Sequence, residues 1–334
     1  MSERKITDRD YLFVTAMVEA RKARMLTRER MEQMLSTGSA ADAARMLNES
    51  GYLDMSEMDA RGVDQTLSNR RRRIFTEMSR FVPEPAVLDV FRAKYDYHNA
   101  KVLVKAEGAG VAAENILSTA GRVEPEILNM YFHEDDIRFL PPLFGPALRE
   151  AKMTLARTSN PQMADLVLDK AYYAELLAMT KPLYSSFLYD YVRLLIDTAN
   201  LRTVIRTTRM GRSQKFIRSV LIDGGTVSIE HLAASVGSGD GLSGIYASTP
   251  LRKAAELGAG VLHSGSMTQF EQSCDDAATA YLQKGKLSGF GLEAVAGYLG
   301  AVEGEIMAVR MILTGLMAGI DPEELKRRLR DTYV

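Results

Sequence analysis

The chain has 334 residues, of which 46% are hydrophobic and 25% are charged, and its 42 basic and 43 acidic side chains give a formal net charge of −1. This length and balance indicate a globular protein with more than one domain. Because a nearly neutral chain creates no overall field for nucleic acid or an anionic membrane, we expect no nucleic-acid partner. The single cysteine, Cys274, excludes an internal disulfide framework and is typical of a reducing compartment.

Two features argue against insertion into a membrane. The first ten residues have no apolar core, which predicts the absence of a signal peptide. The most apolar window, 306–320, contains Arg310 and is shorter than the roughly 20 apolar residues that a membrane-spanning helix needs. We therefore expect a protein that is soluble or attached to a membrane surface.

Apolar residues recur at spacings of three and four along most of the chain, and this periodicity predicts an all-α fold. Such faces run along residues 87–102 and 184–195. Ser39 and Ser56 are predicted to open capping boxes. The best strand candidate, residues 226–229, is short. A capping residue followed by proline predicts helix starts at residues 160–161, 249–250 and 321–322.

Three stretches share one pattern, which reads acid, two residues, an amide or small residue, one residue, a base and a mostly aliphatic triplet. Its charged and amide positions are Asp96, Asn99 and Lys101, then Asp197, Asn200 and Arg202, and then Glu305 and Arg310, with Ala308 in place of the third amide. The copies are about 100 residues apart, which indicates a repeated structural unit. Glycine and proline clusters predict boundaries between helical domains 1–120, 121–214 and 215–334.

On a helix, the acid, the amide and an aliphatic residue of each copy share one face, whereas the base lies well round from it. Asn99 and Asn200 are therefore predicted to be partly buried and to need hydrogen-bond partners. We interpret the motif as a fold determinant that ties its helix to a neighbouring loop or helix end, with direct binding of a partner as the alternative. Three related units can stack in a line or close around a pseudo-threefold axis, and the residues alone leave both arrangements open.

The sequence contains no convincing catalytic or cofactor site. Residues 239–244 match G-x-G-x-x-G by letters, but no strand precedes them, so we expect a flexible loop rather than a dinucleotide site. The cluster 133–136 is interpreted as acids in the first turn of a helix, not as metal ligands. The run 70–73 of four arginines is interpreted as a solvated helix surface, with a contact to an acidic protein partner as the alternative. We therefore expect no catalytic residue, metal or cofactor.

Several segments, in their order along the chain, are similar to those of one known family. They are residues 11–52, 91–101, 138–145, 169–173, 184–187, 197–206, 305–313 and 321–329. Together they make the chain resemble the C subunit of prokaryotic V-type (A/V-type) ATP synthases, which is the counterpart of the d subunit of the vacuolar proton pump. No one segment is a catalytic signature, and the resemblance rests on their joint presence and order.

The resemblance implies three related helical domains closed around a pseudo-threefold axis into a funnel at the foot of a central stalk. It implies a non-catalytic rotor subunit that links the D and F subunits of the shaft to the membrane proteolipid ring and transmits torque between ATP turnover and ion transport. It also implies a peripheral location on the cytoplasmic face of the membrane, with no nucleotide bound by this chain.

Two other functions stay open at this point. A soluble helical adaptor could bind a different protein through the same central cavity, and it would remain in the cytosol rather than pellet with membranes. An all-helical enzyme with a pocket between its units is the weakest of the three interpretations, because no nucleophile–base pair, metal set or cofactor loop supports it.

Overall fold

The structure is a computed structural model that describes residues 5–113, 116–235 and 239–333. Over these ranges the chain forms α-helices, short 3-10 turns and irregular connections, and no β-strand occurs in them. This confirms the predicted all-α fold. No helix in the described part of the chain is both long enough and apolar enough to cross a membrane.

The α-helices of the described residues are numbered in chain order. They are α1 Leu12–Lys22, α2 Arg28–Ser36, α3 Ala40–Arg45, α4 Ala60–Met78, α5 Pro85–Ala109, α6 Pro125–Glu134, α7 Phe144–Thr158, α8 Pro161–Thr180, α9 Phe187–Arg209, α10 Gln214–Val220, α11 Ile229–Ala234, α12 Gly239–Ile245, α13 Arg252–Val261, α14 Met267–Gln283, α15 Leu292–Met317 and α16 Pro322–Arg328. Shorter 3-10 turns form at Asp8–Tyr11, Asn48–Ser50 and Lys284–Ser288.

Three of the predicted helix starts are confirmed, although the capping box at Ser39 is incomplete because Ser39 N donates to Thr37 Oγ1 rather than to Asp42. Ser39, Asn160 and Asp321 each accept a hydrogen bond from a backbone N–H in the first turn of α3, α8 and α16, respectively. These side chains satisfy donors that the helix itself leaves unpaired.

Two other predicted starts are displaced. The capping box at Ser56 is wrong, because α4 begins later and the side chain of Asp59 caps it instead. At residues 249–250, Thr249 Oγ1 accepts from Leu251 N at 3.1 Å, and α13 begins only at Arg252.

Two further segments differ from their predicted structure. Residues 226–229 form no strand, because the backbone N–H groups of Thr226 and Val227 bind the carboxylate of Asp197 rather than a neighbouring strand. The glycine-rich residues 239–244 lie within α12 and not in a loop, and the described element before them is helix α11 instead of the strand that dinucleotide binding requires.

The chain divides into two compact units, of which unit 1 comprises Met1–Leu88 and Glu271–Val334. Helix α15 is central to unit 1 and contacts α1, α2, α3, α4 and α16. Apolar side chains all round α15 are buried, among them Val295, Leu299 and Ile306. This distribution is typical of a helix enclosed by its neighbours.

Unit 2 comprises Asp89–Phe270. Helices α7 and α8 pack against each other, and α9 packs against α8, α10 and α13. The rings of Tyr97 and Phe144 meet edge to face in its apolar core, with centroids 5.1 Å apart. Unit 2 holds two copies of the motif and unit 1 holds the third; the division into domains 1–120, 121–214 and 215–334 stays a prediction.

Replacing the fully buried Phe144 by alanine should lower the free energy of unfolding by about 3–5 kcal/mol, because a large cavity would remain in the core of unit 2. Urea denaturation followed by circular dichroism measures this loss. Phe139→Ala is the control: Phe139 is 70% exposed, so we expect a loss below about 1 kcal/mol. Equal losses from both variants would show that Phe144 is not part of a tightly packed core.

Candidate functional site

All three copies of the repeated motif lie on long helices. Asp96, Asn99 and Lys101 lie on α5, Asp197, Asn200 and Arg202 lie on α9, and Glu305 and Arg310 lie on α15. The three acids are only 0%, 2% and 6% exposed, in chain order. Because a buried carboxylate must be paired or hydrogen-bonded, its partners identify what the motif does.

Asp96 on α5 binds the backbone that leads into α6. Its Oδ1 atom accepts from Arg122 N at 2.8 Å and from Val123 N at 3.1 Å. Val123 immediately precedes Glu124, the N-cap residue of α6. The carboxylate therefore satisfies backbone donors just in front of a helix, where the helix dipole also favours a negative charge.

Asp197 on α9 makes the same contact in front of α11. Its Oδ1 atom accepts from Thr226 N at 3.0 Å and from Val227 N at 3.1 Å. The hydroxyl of Thr226 also donates to Oδ2 of this aspartate. Val227 immediately precedes Ser228, the N-cap residue of α11, so the position bound is equivalent to that of the first copy.

Glu305 on α15 binds the N-terminal part of the chain. Its Oε2 atom accepts from Leu26 N at 2.7 Å, and its Oε1 atom accepts from the Tyr52 hydroxyl at 2.6 Å. Leu26 immediately precedes Thr27, the N-cap residue of α2. In the first two copies the bound helix follows the motif helix along the chain, whereas in the third it lies near the beginning of the chain.

In all three copies, an acid on the motif helix accepts the N–H of the residue directly before an N-cap. We name this contact, made by Asp96, Asp197 and Glu305, the acid clamp. Hydrogen bonds to a charged group contribute about 1.5–3 kcal/mol each, more than neutral ones do. The acid clamp therefore joins each motif helix firmly to the start of another helix.

Glycine lies beside the clamping carboxylate in the first two copies because there is no space for a side chain. A Cβ atom at Gly121 would lie 2.3 Å from Asp96 Oδ1, and a Cβ atom at Gly225 would lie 2.1 Å from Asp197 Oδ1. The third copy has Arg24 at this position and a glutamate as its acid. We interpret the extra methylene of glutamate as the adaptation that leaves room for a residue larger than glycine.

An arginine one turn before each aspartate binds the carbonyl of the same glycine. Arg92 donates to Gly121 O at 2.5 Å, and Arg193 donates to Gly225 O at 3.3 Å. Ala301 occupies this position in the third copy. Because residues four apart share a helix face, the arginine and the acid reach the same connection.

The two asparagines bind the start of the same connections. Asn99 donates to Ser118 O at 2.8 Å and accepts from Ser118 N at 2.7 Å. Asn200 pairs with Ile222 in the same way, with both distances 2.8 Å. An amide carries both a donor and an acceptor, so it satisfies both backbone groups of one residue. These contacts support the fold-determining role of the motif, which stays a prediction.

The third copy needs no amide because the corresponding backbone is already helical. Ser118 and Ile222 each lie five residues before their clamped valine, and five residues before Leu26 is Arg21. Arg21 lies in α1, where its backbone groups belong to the helix and its termination. Ala308 therefore occupies a position where an amide would have no loop to bind.

The basic residues of the motif lie outside the acid clamps. Lys101 pairs with Asp169 at 2.5 Å, and Arg310 pairs with Asp64 at 2.7 Å. Arg202, in the second copy, is half-buried. Partly exposed ion pairs of this kind contribute at most about 1 kcal/mol, so the acid and the amide carry the motif.

Sequence reasoning missed Arg122, which joins the first clamp to α8. Its Nε atom is 2.6 Å from Asp96 Oδ2, and its two Nη atoms donate to Glu175 at 2.9 and 3.1 Å. Burial raises the pKa of Asp96, against the lowering effect of the Arg122 charge. The signal that could have revealed this connection is the Gly-x-Val triplet shared by residues 121–123 and 225–227.

The arginine run on α4 is not a uniformly solvated surface, so that prediction is wrong for half of it. The Arg70 guanidinium lies 3.6 Å from the centre of the Tyr52 ring, and Arg71 Nε is 3.0 Å from Glu303 Oε1. The other two arginines are exposed. The first two side chains are drawn inward because α15 supplies buried carboxylates on this side of α4.

The acidic cluster 133–136 lies at the end of α6, and the first-turn prediction is wrong. Asp135 adopts a left-handed backbone conformation that ends the helix, and Asp136 accepts from Arg138. Across the ranges that the structure describes, no group of three or more histidine, cysteine, aspartate or glutamate side chains is arranged to hold a metal ion.

The family model described as ATP synthase (C/AC39) subunit matches residues 14–328 of this chain. The chain belongs to this family. The matched range contains all three copies of the motif and all three acid clamps. The family membership expected from the sequence is thereby confirmed.

Similar proteins of this family cover nearly the whole chain. The C subunit of the V-type sodium ATPase of Enterococcus hirae is 24% identical over 331 residues, which cover 97% of this chain and 99% of the relative. The C subunit of the A-type ATP synthase of Methanocaldococcus jannaschii is 24% identical and covers 96% of this chain and 86% of the relative. The equivalent A-type protein of Pyrococcus abyssi is 23% identical, with coverages of 95% and 89%.

Asn99→Leu and Asn200→Leu should each lower the free energy of unfolding by about 2–5 kcal/mol, since each leaves a backbone N–H and a carbonyl without a partner, half-buried at Ser118 and buried at Ile222. Urea denaturation of the single variants measures the change. Ala308→Asn is the matched control and should change stability by less than about 1 kcal/mol. If both leucine variants unfold at the midpoint of the native chain, the asparagines do not tie the helices to their connections.

Gly121→Ala and Gly225→Ala should each destabilise the chain by about 1–3 kcal/mol, because the new methyl group overlaps a clamping carboxylate. Thermal denaturation compares them with Gly260→Ala, which lies in α13 with nothing within 4 Å of the added Cβ atom. This control should be neutral or stabilising by up to about 1 kcal/mol. Three variants of equal stability would contradict the close approach of carboxylate and glycine.

Proposed function

We propose that this chain is a non-catalytic rotor subunit of a V/A-type ATPase or ATP synthase. In this role it forms a funnel-shaped socket that links the rotating shaft to the membrane proteolipid ring and transmits torque between ATP turnover and ion transport. Its partners are the D and F subunits of the shaft and the proteolipid ring, and it lies on the cytoplasmic face of the membrane as a peripheral subunit. Membership of the ATP synthase (C/AC39) subunit family supports this assignment.

The observation that carries the proposal is the order of the acid clamps. Helix α5 binds the segment before α6, α9 binds the segment before α11, and α15 binds the segment before α2. A linear stack of three units would leave its last motif helix with no following unit to bind. The third clamp instead returns to the beginning of the chain, which supports closure of the three repeats around a pseudo-threefold axis.

The chemistry of the clamps suits a part that transmits torque. Such a part has to resist shear between its repeats, and buried hydrogen bonds to a charged group are stronger and less screened by salt than surface ion pairs. In the first clamp, Arg122 forms ion pairs with both Asp96 and Glu175 and so links the clamp to a further carboxylate. The acids and amides of the motif bind backbone groups, and Lys101 and Arg310 bind opposite charges, which is their use in a scaffold rather than in a catalytic site.

Co-purification tests the proposed role. The affinity-tagged chain should pellet with membrane vesicles from its host and co-purify with the detergent-solubilised ATPase, while the purified chain alone hydrolyses no ATP. Vesicles whose complex lacks the chain should lose ATP-driven ion transport, and added chain should restore it. A chain that stays in the cytosol with another protein would favour the adaptor, and turnover by the isolated chain would favour an enzyme.

Glu305→Ala should loosen the N-terminal helices, because it removes the acceptor for Leu26 N and for the Tyr52 hydroxyl. Hydrogen exchange in peptides covering residues 24–36 should become about 10-fold faster or more, as expected for the loss of hydrogen bonds to a charged group. Met307→Ala, on the exposed side of the same helix, is the control and should leave this exchange unchanged. Equal exchange in the native chain and in Glu305→Ala would remove the support for cyclic closure.

A further inference from the structure

A cavity of about 400 Å³, open to solvent, lies in unit 1 beside the third acid clamp. It is bordered by the end of α1, the 3-10 turn Asn48–Ser50, one face of α4 and the middle of α15. This volume falls in the range of small-molecule sites in proteins. The acid clamp does not account for this cavity. In the clamp, Glu305 accepts hydrogen bonds only from a backbone N–H and a tyrosine hydroxyl.

Four arginines and three glutamates line the cavity, and each glutamate already has a basic partner. Glu77 pairs with Arg21 at 2.9 Å, and Glu305 lies 3.7 Å from Arg70. The third glutamate, Glu49, pairs at 2.8 Å with an arginine that is not part of the lining. The acids are therefore neutralised without help from the remaining two arginines.

The remaining two arginines, Arg24 and Arg73, supply the uncompensated charge. Both are exposed, both border the cavity, and the side chain of neither makes an ion pair or hydrogen bond with another described residue. Arg73 shares a face of α4 with Arg70, three residues earlier, and Arg24 approaches from the end of α1. One guanidinium group from the turn after α1 and one from α4 thus border the same space.

Arg70 also lines the cavity, and one of its donors is not satisfied by any described residue. Its Nη atoms donate to the carbonyls of Gly51 and Ser50, at 2.8 and 3.4 Å, but its Nε atom is buried and has no hydrogen-bond partner among the described residues. Buried donors are almost always satisfied, by protein, water or a bound group.

Besides the charged residues and the polar Asn48 and Ser50, the lining has an apolar part. Met25, Ile74 and Val302 border the space, together with the ring of Tyr298. A free anion would leave this surface unused, whereas an organic group attached to the anion would cover it. The planar guanidinium group of arginine can donate two parallel hydrogen bonds to phosphate oxygens. Two positive charges without an acidic partner also match the two negative charges of a phosphoryl dianion.

We propose that this cavity binds a small phosphorylated molecule. Arg24 and Arg73 hold the phosphoryl group, and the organic part lies against Met25 and Ile74. This binding site is independent of the proposed rotor function, because it belongs to the isolated chain and can be measured without any partner.

Isothermal titration calorimetry of the full chain with phenyl phosphate and with inorganic phosphate, in chloride buffer of constant ionic strength, tests the site. Phenyl phosphate should bind one to one and more tightly than inorganic phosphate. Arg24→Ala/Arg73→Ala should weaken its binding at least 10-fold, and Arg24→Lys/Arg73→Lys should recover part of the affinity because it keeps both charges.

The charge-matched control is Arg61→Ala/Arg80→Ala, which removes two exposed arginines outside the cavity and should leave the affinity unchanged. Circular dichroism melting shows that each variant is folded. Absence of saturable binding, or an equal loss in the control, would overturn the site. Inorganic phosphate that binds as tightly as phenyl phosphate would overturn the assignment of an organic part.

Discussion

The buried carboxylate of each motif copy has to find hydrogen-bond donors, and it finds them in the backbone just ahead of another helix. An ionised acid can only accept hydrogen bonds, and unpaired N–H donors are available where a connection turns into a helix. The amide three residues later binds a residue whose backbone N–H and C=O are both unpaired, so it has to accept one hydrogen bond and donate another. The acid and amide of the motif thus differ because their backbone targets differ, as Asp96 and Asn99 show.

The features that the sequence predicted well are those with local causes. Helical periodicity and the capping side chains of Ser39, Asn160 and Asp321 depend on residues within a few positions of each other. Residues 226–229 were mispredicted because the group that binds their N–H donors, Asp197, lies about 30 residues earlier on another helix. Long-range competition of this kind has no local signature.

The residues of the candidate site could be predicted from the sequence, but the contacts that they make could not. The spacing of the motif indicated a partly buried amide on the face that also carries the acid, but nothing in it pointed to Arg122, or to Leu26 at the opposite end of the chain. The burial of Arg70 was missed for a related reason: a run of four arginines suggests solvent, and only the carboxylates of α15 draw two of them inward. Partners that come from distant segments become visible only once the fold is assembled.

The three clamps differ in the length of chain that each one closes. Residues 27 and 30 apart meet in the first two, whereas residues 279 apart meet in the third. During synthesis the first two can therefore form while the ribosome is still adding residues, but the N-terminal helices must wait until almost the whole chain has emerged. Since non-local contacts form slowly and waiting segments expose apolar surface, closure at Glu305 is the step of biogenesis at which a chaperone would be needed most.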